Sequence, residues 1–337
     1  MTTLTMAKAI NAGLRAALAG DEHVVLMGED IGTLGGVYRV TDGLQTEFGP
    51  RRVMDSPLAE SGILGTAVGM AYRGYRPVVE IQFDGFIYPA FDQIVSQVAR
   101  MHYRTAGAVR MPITIRVPFA GGIGAAEHHS DSPEAYFAHA AGLRVVSPSS
   151  PEDAYTLIQQ AIASDDPVLY FEPKRRYHVK GEVDETAALA DARPMGTARV
   201  VVPGDDLTLV TYGGLVQTAR DAAAAASDDG LSVEVIDLRS LSPLDVDTVA
   251  ESVRKTGRLV ISHEAALSGG MGAEIAACIT ERCFYYLEHA PVRVTGHDIP
   301  YPAAKLEGAH LPDLDRILDG VDRAMDRPNS LTGVEEL

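Results

Sequence analysis

The chain has 337 residues, of which 46% are hydrophobic, so it can bury large cores and is long enough for two domains. Its net charge of −17 argues against nucleic acid and anionic membrane surfaces as partners and favours a basic protein partner. Two cysteines make no disulfide framework, and no apolar run reaches the roughly 20 residues that span a bilayer. We therefore expect a protein of a reducing compartment, the cytoplasm.

The first twenty residues contain basic residues and no acid, a composition that also suits a transit peptide. A structural helix is the better interpretation, because four apolar residues at helical spacing lead directly into an apolar strand at 24–27. These four residues are Ala7, Ile10, Leu14 and Leu18.

Apolar runs typical of buried strands then alternate with helical patterns. The predicted strands lie at 24–27, 78–82, 113–117, 144–147 and 168–171, and the predicted helices lie near 88–103 and at 151–164. This alternation predicts a parallel sheet with helices on both faces.

After a polar stretch that contains prolines, the same alternation returns. Strands are predicted at 207–212, 231–238, 258–262 and 292–295, and helices at 215–226, 244–255 and 272–287. The sequence thus predicts an α/β protein with two doubly wound domains. Their bounds are 1–185 and 204–326, with a linker at 186–203 and a loose tail at 327–337.

Residues 55–71 have the pattern of a strand-to-helix turn, with Glu60 at the mouth of the helix and Ser56 or Ser61 as its cap. Three glycines, at 62, 65 and 69, indicate that another backbone packs closely against this helix, across a subunit interface. Glu60 would then sit in an apolar wall, which favours proton chemistry. A solvated glutamate held by the helix dipole is an equally good interpretation of this pattern.

The strand at 78–82 is followed by two aromatic rings, Phe83 and Phe86, beside the polar residues Gln82 and Asp84. Aromatic residues at a strand end usually belong to the core. Together with the polar side chains, they could instead form the wall of a site for a flat heterocycle.

His128 and His129 follow a glycine-rich turn and lie on a loop after the strand at 113–117. Such loops carry chemistry in open α/β sheets, which favours proton transfer or substrate hydrogen bonding. A metal site with His102 or His139 ranks lower, because adjacent histidines point in different directions. One surface histidine beside one packing histidine is an alternative without function. No glycine-rich turn completes the G-x-G-x-x-G pattern of nicotinamide-binding proteins.

Taken together, these stretches resemble the beta subunit of the thiamine diphosphate-dependent decarboxylase component of 2-oxoacid dehydrogenase complexes, most closely the branched-chain type. The resemblance extends from residue 7 to about residue 323 and implies a transketolase-like fold. That fold combines a pyrimidine-binding domain with a transketolase C-terminal-like domain, in an α2β2 heterotetramer with an alpha subunit. The matching motifs lie at 28–30, 35–40, 55–62, 76–83, 89–94, 129–136, 171–174, 235–239 and 256–264.

The resemblance also implies roles for individual residues. Glu60 falls on the glutamate that activates the cofactor by a hydrogen bond to its aminopyrimidine ring. His129 falls on the histidine that assists acyl transfer to the lipoyl group. Leu58, Gln82 and Phe86 fall on positions that line the cofactor, although similar proteins have tyrosine where Phe86 stands.

Two metals are implied as well. A structural potassium site is implied at five positions, in which Ser164 replaces an acid: Ile113, Thr114, Ala161, Ser164 and Asp166. The family's diphosphate signature, Gly-Asp-Gly followed later by Asn, is absent from the 337 residues. The resemblance therefore implies that the alpha subunit holds the diphosphate and its magnesium.

The function predicted from the resemblance is oxidative decarboxylation of a branched-chain 2-oxo acid. The acyl group is transferred to the lipoyl-lysine of the acyltransferase core of the complex. A pyruvate or acetoin dehydrogenase beta subunit is the nearest alternative, because the catalytic motifs are shared. A non-catalytic docking subunit for the acyltransferase is the alternative from another class, and an intact Glu60 and His129 argue against it.

Overall fold

The computed structural model describes residues 1–327; apart from its first residue, the predicted tail at 327–337 lies outside this range. The strands are β1 Thr2–Thr5, β2 Val24–Gly28, β3 Val53–Asp55, β4 Arg76–Glu80, β5 Thr114–Phe119, β6 Arg144–Val146, β7 Val168–Pro173, β8 Lys180–Val183, β9 Arg199–Val202, β10 Leu207–Thr211, β11 Val233–Asp237, β12 Ser240–Ser242, β13 Leu259–Ala266 and β14 Val292–Gly296. The helices are α1 Met6–Gly20, α2 Leu44–Phe48, α3 Glu60–Tyr72, α4 Met101–Arg104, α5 Glu134–Ala138, α6 Pro151–Ala163, α7 Val216–Asp228, α8 Val246–Thr256, α9 Met271–Cys283, α10 Glu307–His310 and α11 Leu314–Ala324.

The chain divides into two units. The first comprises Met1–Ile123, Glu127–Gly196 and Ser240–Pro243, and the second comprises Gly124–Ala126, Thr197–Arg239 and, within the described residues, 244–327.

The first unit contains a seven-stranded sheet in the order β12-β6-β7-β5-β4-β2-β3. All neighbouring strands in it are parallel except β12, which pairs antiparallel with β6. Strands β2, β5 and β7 are buried along their whole length, because parallel strands covered by helices on both faces need nearly continuous apolar sequence. A separate antiparallel pair joins β1 to β8.

Helix α1 confirms the interpretation of the first twenty residues. Thr5 caps the helix by accepting a hydrogen bond from the Lys8 N–H, and the predicted apolar face is buried. The helix packs against α6, and at Gly13 an added Cβ would lie 2.4 Å from Ile158 Cγ2. This contact leaves no room for a side chain at position 13.

The predicted helix near 88–103 is broken into three pieces. A 3-10 helix covers Asp84–Ala90, a π-helix covers Gln93–Val98, and α4 follows. Pro89 lies inside the first piece and in the first turn of the predicted helix, where proline is tolerated because the first turn needs no N–H donor, so it does not account for the π-helical hydrogen bonds further along.

The second unit contains a five-stranded sheet in the order β14-β13-β10-β11-β9. Side chains of β10 alternate between two layers of helices: Leu207 and Leu209 join a core that includes residues of α7 and α11, whereas Thr208 bonds to α8 through Ser252 and Thr256, 2.7 Å from each hydroxyl. Strand β9 pairs antiparallel with β11, although the sequence predicted an irregular linker over 186–203. Its four residues give too short a pattern to identify a strand from sequence.

Candidate active site

Four neighbouring strands of the first unit, β5-β4-β2-β3, are parallel and end at one edge of the sheet. Ligands of open α/β sheets bind at this edge, where the carboxyl ends of the strands meet. The chain continues from these ends to Glu29 after β2, Glu60 after β3, Gln82 after β4 and His129 after β5. Strand order therefore brings to one edge residues that lie up to a hundred positions apart in sequence.

Glu60 is the first residue of α3, and its N-cap, Ala59, makes no side-chain hydrogen bond. The predicted cap by Ser56 or Ser61 is therefore wrong. Instead, the Ser56 N–H donates to the Gly28 carbonyl oxygen at the end of the neighbouring strand, at 2.9 Å. Glu60 is half-buried, and within residues 1–327 the adjoining face of α3 is open around Gly69, where an added Cβ would meet no atom within 4 Å.

Glu29 is the buried carboxylate of this edge, with only 3% of its surface exposed. Burial raises the pKa of Glu29, the negative charge of Glu60 raises it further, and the Ala59 N–H opposes both effects. Among the described residues, no donor bonds to its buried Oε1. Sequence reasoning assigned no role to Glu29. The available signal was an acid that directly follows a fully apolar strand.

Gln82 connects two of the strand ends. Its Nε2 donates to Asp30 Oδ2 at 3.1 Å and, at 3.4 Å, to the carbonyl oxygen of Glu29. The end of β4 is thereby fixed to the segment after β2 that carries the buried carboxylate.

Three aromatic rings at this edge form what we call the aromatic wall: Phe83, Phe86 and Tyr38. Phe83 lies edge-on to Phe86 at a centroid distance of 5.9 Å and edge-on to Tyr38 at 5.7 Å. Burial raises the pKa of Tyr38 to about 12, with a further contribution from the negative charge of Asp84. The wall offers a flat apolar surface, which suits a heterocycle, one of the two interpretations that the sequence left open for Phe83 and Phe86.

The imidazole of His129 packs on this wall. It stacks on Phe83 at 4.0 Å and 22° and meets Phe86 edge-on at 5.2 Å. Its Nδ1 lies 2.9 Å from the His128 carbonyl oxygen. A carbonyl oxygen only accepts, so Nδ1 carries the hydrogen, and Nε2 is the nitrogen that can take up or give a proton.

Asp84 does not line the edge as the sequence predicted but is fully buried. Burial raises the pKa of Asp84 to about 6, whereas the Lys174 ammonium and the Asp131 N–H lower it. Asp84 is the first residue of the 3-10 helix, in which Ile87 and Ala90 are buried as well.

A second buried group of charged residues lies on strands β4, β5 and β7 and was not predicted. The Arg116 guanidinium, on β5, contacts the Glu80 carboxylate at 2.5 Å and the Glu172 carboxylate at 2.7 Å. The Tyr177 hydroxyl donates to Glu172 at 2.6 Å, and its ring lies 4.7 Å from that of Tyr38. These contacts join β4, β5 and β7 beneath the aromatic wall.

Leu58, predicted to line the cofactor, is 82% exposed on the segment before α3. The other predicted pyrimidine-site residues, Glu60, Gln82 and Phe86, lie at the common edge. The Glu60 carboxylate, the flat aromatic wall and the buried Glu29 Oε1, which has no partner among residues 1–327, suit the aminopyrimidine end of thiamine diphosphate.

The residues predicted for potassium suit a cation poorly. The Ile113 carbonyl accepts the Val168 N–H at 2.9 Å, and Asp166 pairs with Arg144 at 3.1 Å. Arg76 already donates to the carbonyl oxygen of Ser164 at 3.0 Å. Only the Thr114 Oγ1, buried and without a partner in the described part of the chain, favours a cation. Potassium at Ile113, Thr114, Ala161, Ser164 and Asp166 stays a prediction.

Within residues 1–327, no group of three or more His, Cys, Asp or Glu side chains is arranged to hold a metal ion. The alternative of a metal site at His128 and His129 therefore gains no support. Every helix in the same range is too short or too polar to cross a bilayer.

Family models match both halves of the chain. The transketolase pyrimidine-binding domain matches residues 2–180, and the transketolase C-terminal domain matches residues 196–317. A solved structure, described as a split-gene transketolase in an inactive beta4 tetramer, superposes with a TM-score of 0.78 over 96% of this chain and 98% of that chain. At 22% identity this likeness shows the fold alone. The fold and sheet edge thus define a transketolase-like protein, as predicted.

Curated relatives define the family more closely. The pyruvate dehydrogenase E1 component subunit beta of Leifsonia xyli is 57% identical over 96% of this chain and 95% of its own length. The 3-methyl-2-oxobutanoate dehydrogenase subunit beta of Mycobacterium tuberculosis is 55% identical over 97% and 93%, and the 2-oxoisovalerate dehydrogenase subunit beta of Pseudomonas aeruginosa is 45% identical over 97% and 96%. The chain belongs to the E1 beta subunits of the 2-oxoacid dehydrogenases, a thiamine diphosphate-dependent family of acyl-transferring enzymes.

Proposed function

We propose that this chain forms the pyrimidine-binding half of a thiamine diphosphate site. A separate alpha subunit would hold the diphosphate and its magnesium in an α2β2 heterotetramer. The observation that carries the proposal is the pair of carboxylates, Glu29 and Glu60, at the same sheet edge as the aromatic wall. Because the chain lacks the Gly-Asp-Gly signature, its residues supply one end of the site only.

When bound, the cofactor supplies the electron sink that lets a 2-oxo acid lose carbon dioxide. Glu60 would hold a proton in a hydrogen bond with a pyrimidine nitrogen and exchange it there. Burial and the negative charge of Glu60 raise the pKa of Glu29, so this carboxyl group takes up a proton more readily than an exposed glutamate. Phe83 and Phe86 offer flat apolar faces for the ring.

His129 would act in the second half-reaction, the transfer of the acyl group to the lipoyl-lysine of the acyltransferase core. Its Nδ1 is fixed by the His128 carbonyl, which leaves Nε2 to give or take the proton. The net charge of −17 suits a basic docking domain on that acyltransferase. A soluble, cytoplasmic complex is part of this proposal.

For the substrate we propose a branched-chain 2-oxo acid. Support comes from two relatives named for branched-chain 2-oxo acids, those of Mycobacterium tuberculosis at 55% and Pseudomonas aeruginosa at 45% identity. Pyruvate is the second candidate, because the relative at 57% identity is named for it. An acetoin dehydrogenase and a non-catalytic docking subunit are the remaining alternatives.

The test is co-expression with the alpha subunit, followed by rates for 3-methyl-2-oxobutanoate, pyruvate and acetoin. The isolated chain should be inactive, and the assembled enzyme should prefer the branched acid in kcat/KM by about 10-fold or more, the typical value of extra apolar contact in a pocket. Turnover by the isolated chain would contradict the divided site. A preference for pyruvate would leave the divided site standing and replace the substrate.

A further inference from the structure

The loop Glu127–Ser132, here called the histidine loop, presents His129 on the aromatic wall. His128 is exposed and His129 is half-buried, so the loop gains little from burial at this point. Asp131 forms hydrogen bonds between the loop and the segments that follow β5 and β4. Its carbonyl oxygen accepts the Ala120 N–H, and its Oδ2 accepts the Tyr88 hydroxyl, each at 2.8 Å.

The third hydrogen bond of Asp131 is made to a buried residue. Its N–H donates to Oδ2 of Asp84, whose other oxygen, Oδ1, accepts a hydrogen bond from the Lys174 Nζ at 2.5 Å. The side chains of both Asp84 and Lys174 are 0% exposed. Charges taken out of water are costly unless they are paired and hydrogen-bonded, so this carboxylate is held in one place by both partners.

The buried pair connects strands on either side of β5. Asp84 follows β4, Lys174 follows β7, and β5 lies between them in the sheet. The chain continues from β5 to the histidine loop. The pair therefore fixes the carboxylate to which this loop is hydrogen-bonded.

The residues on either side of Asp84 contact the histidine loop directly. Phe83, on which His129 stacks, directly precedes Asp84. Gly85 follows it, and an added Cβ there would lie 2.4 Å from the His128 carbonyl oxygen. The backbone at 85 and the backbone at 128 are therefore in direct contact, and a displacement of either would move the ring.

We propose that Asp84 is a positioning residue for His129: its carboxylate, fixed by Lys174, holds the Asp131 N–H and so sets the place of the imidazole for acyl transfer. This proposal rests on the proposed function, since it takes His129 to act in that transfer. This role for Asp84 follows neither from the family motifs nor from the place beside the cofactor that the sequence suggested.

The test compares two matched double variants, Asp84→Ala/Lys174→Met and Asp84→Asn/Lys174→Met, in the enzyme assembled with its alpha subunit. Both remove the charge pair without leaving a buried charge. Only asparagine retains an oxygen that can accept the Asp131 N–H. Any difference between the two variants thus reports on the hydrogen bond to the loop rather than on the loss of charge.

Hydrogen exchange of the peptide that covers the histidine loop is the first readout. Exchange should be about 2- to 10-fold faster in the alanine variant than in the asparagine variant, because both variants are uncharged at this position and a neutral hydrogen bond is worth about 0.5–1.5 kcal/mol. In the wild-type enzyme, residue-resolved exchange should already show a protected Asp131 amide. Equal exchange in the two variants, or an unprotected wild-type Asp131 amide, would overturn the proposal even if a variant assembles poorly.

The second readout separates the half-reactions. Acyl transfer to a lipoyl domain should fall in kcat about 10-fold or more in the alanine variant only, with an unchanged KM, whereas decarboxylation with an artificial electron acceptor should stay within about twofold. Equal acyl-transfer rates in the two variants would overturn the proposal. His129→Ala is the control for the proposed function: if it spares acyl transfer, the role of His129 fails, and the exchange comparison still decides whether Asp84 holds the loop.

Discussion

The burial of a single side chain depends on residues that are not its neighbours in sequence. His263, in β13 of the second unit, is 1% exposed and stacks on Tyr212 at 6.2 Å. It fits only because positions 270 and 272 are glycines: an added Cβ would lie 2.6 Å from its Cε1 at the first and 2.7 Å from its Nε2 at the second. Glycines 269, 270 and 272 are visible in the sequence, whereas the ring that packs against two of them is not.

His263 makes stability depend on pH. Burial lowers the pKa of His263 to about 4, the charge of Arg293 lowers it too, and the Ala265 backbone opposes them. The unfolded chain, with a histidine pKa near 6.5, binds the proton first, so the free energy of unfolding falls as pH drops from about 6.5 to 4. Between pH 7 and pH 5 we expect a loss of about 2 kcal/mol.

Urea unfolding at pH 7 and pH 5 measures this loss. His263→Gln should remove about 2 kcal/mol of the pH dependence, whereas the exposed His178→Gln should retain it. The same pH dependence in wild type and His263→Gln would show that His263 does not titrate as its burial requires.

Helix α3 carries glycines that contacts within the described part of this chain do not explain. Its glycines at 62, 65 and 69 were predicted to meet another backbone. In the described chain an added Cβ at Gly69 meets no atom within 4 Å, and at Gly65 it reaches only Gln93 Oε1, at 4.0 Å. The face is open, as the hypothesis of a subunit interface requires.

Gly69→Leu tests that hypothesis. The isolated variant should fold like wild type, since the added side chain has open space and leucine favours the helix by about 0.8–1 kcal/mol over glycine. Assembly with the alpha subunit should be lost, as measured by light scattering after size-exclusion chromatography. Gly20→Leu, at another open helical position, is the control and should assemble normally. A Gly69→Leu variant that forms the full heterotetramer would remove α3 from the interface.

The elements also show what the sequence could predict. Strands β5 and β7 were recognisable because burial on both faces requires apolar runs. Strands β9 and β12 were not, because each is a short antiparallel edge strand whose pairing depends on the fold around it. The division of the predicted helix near 88–103 into 3-10, π and α pieces had no signal in the sequence, because Pro89 falls in the first turn, where proline is tolerated.

For the whole molecule, topology did more than any motif to assemble the candidate site. Gln82 ends one predicted strand, His129 follows another and Glu60 lies on the predicted strand-to-helix turn, and parallel strands deliver their ends to one edge. Glu29 and the pair Asp84 and Lys174 were not predicted as buried charges, because burial of a charge is decided by partners distant in sequence. Leu58 is 82% exposed, and any contact it makes in the assembled enzyme lies outside this chain.

The divided site is tested most directly by deuterium exchange at the thiazolium carbon of thiamine diphosphate bound to the reconstituted heterotetramer, in wild type and Glu60→Gln. Glutamine keeps the size and a hydrogen bond but cannot exchange a proton with the pyrimidine ring. We predict exchange slower by about 10²–10⁴-fold, with assembly and cofactor affinity retained. Wild-type exchange in Glu60→Gln would contradict the proposal that this chain supplies the activating carboxylate.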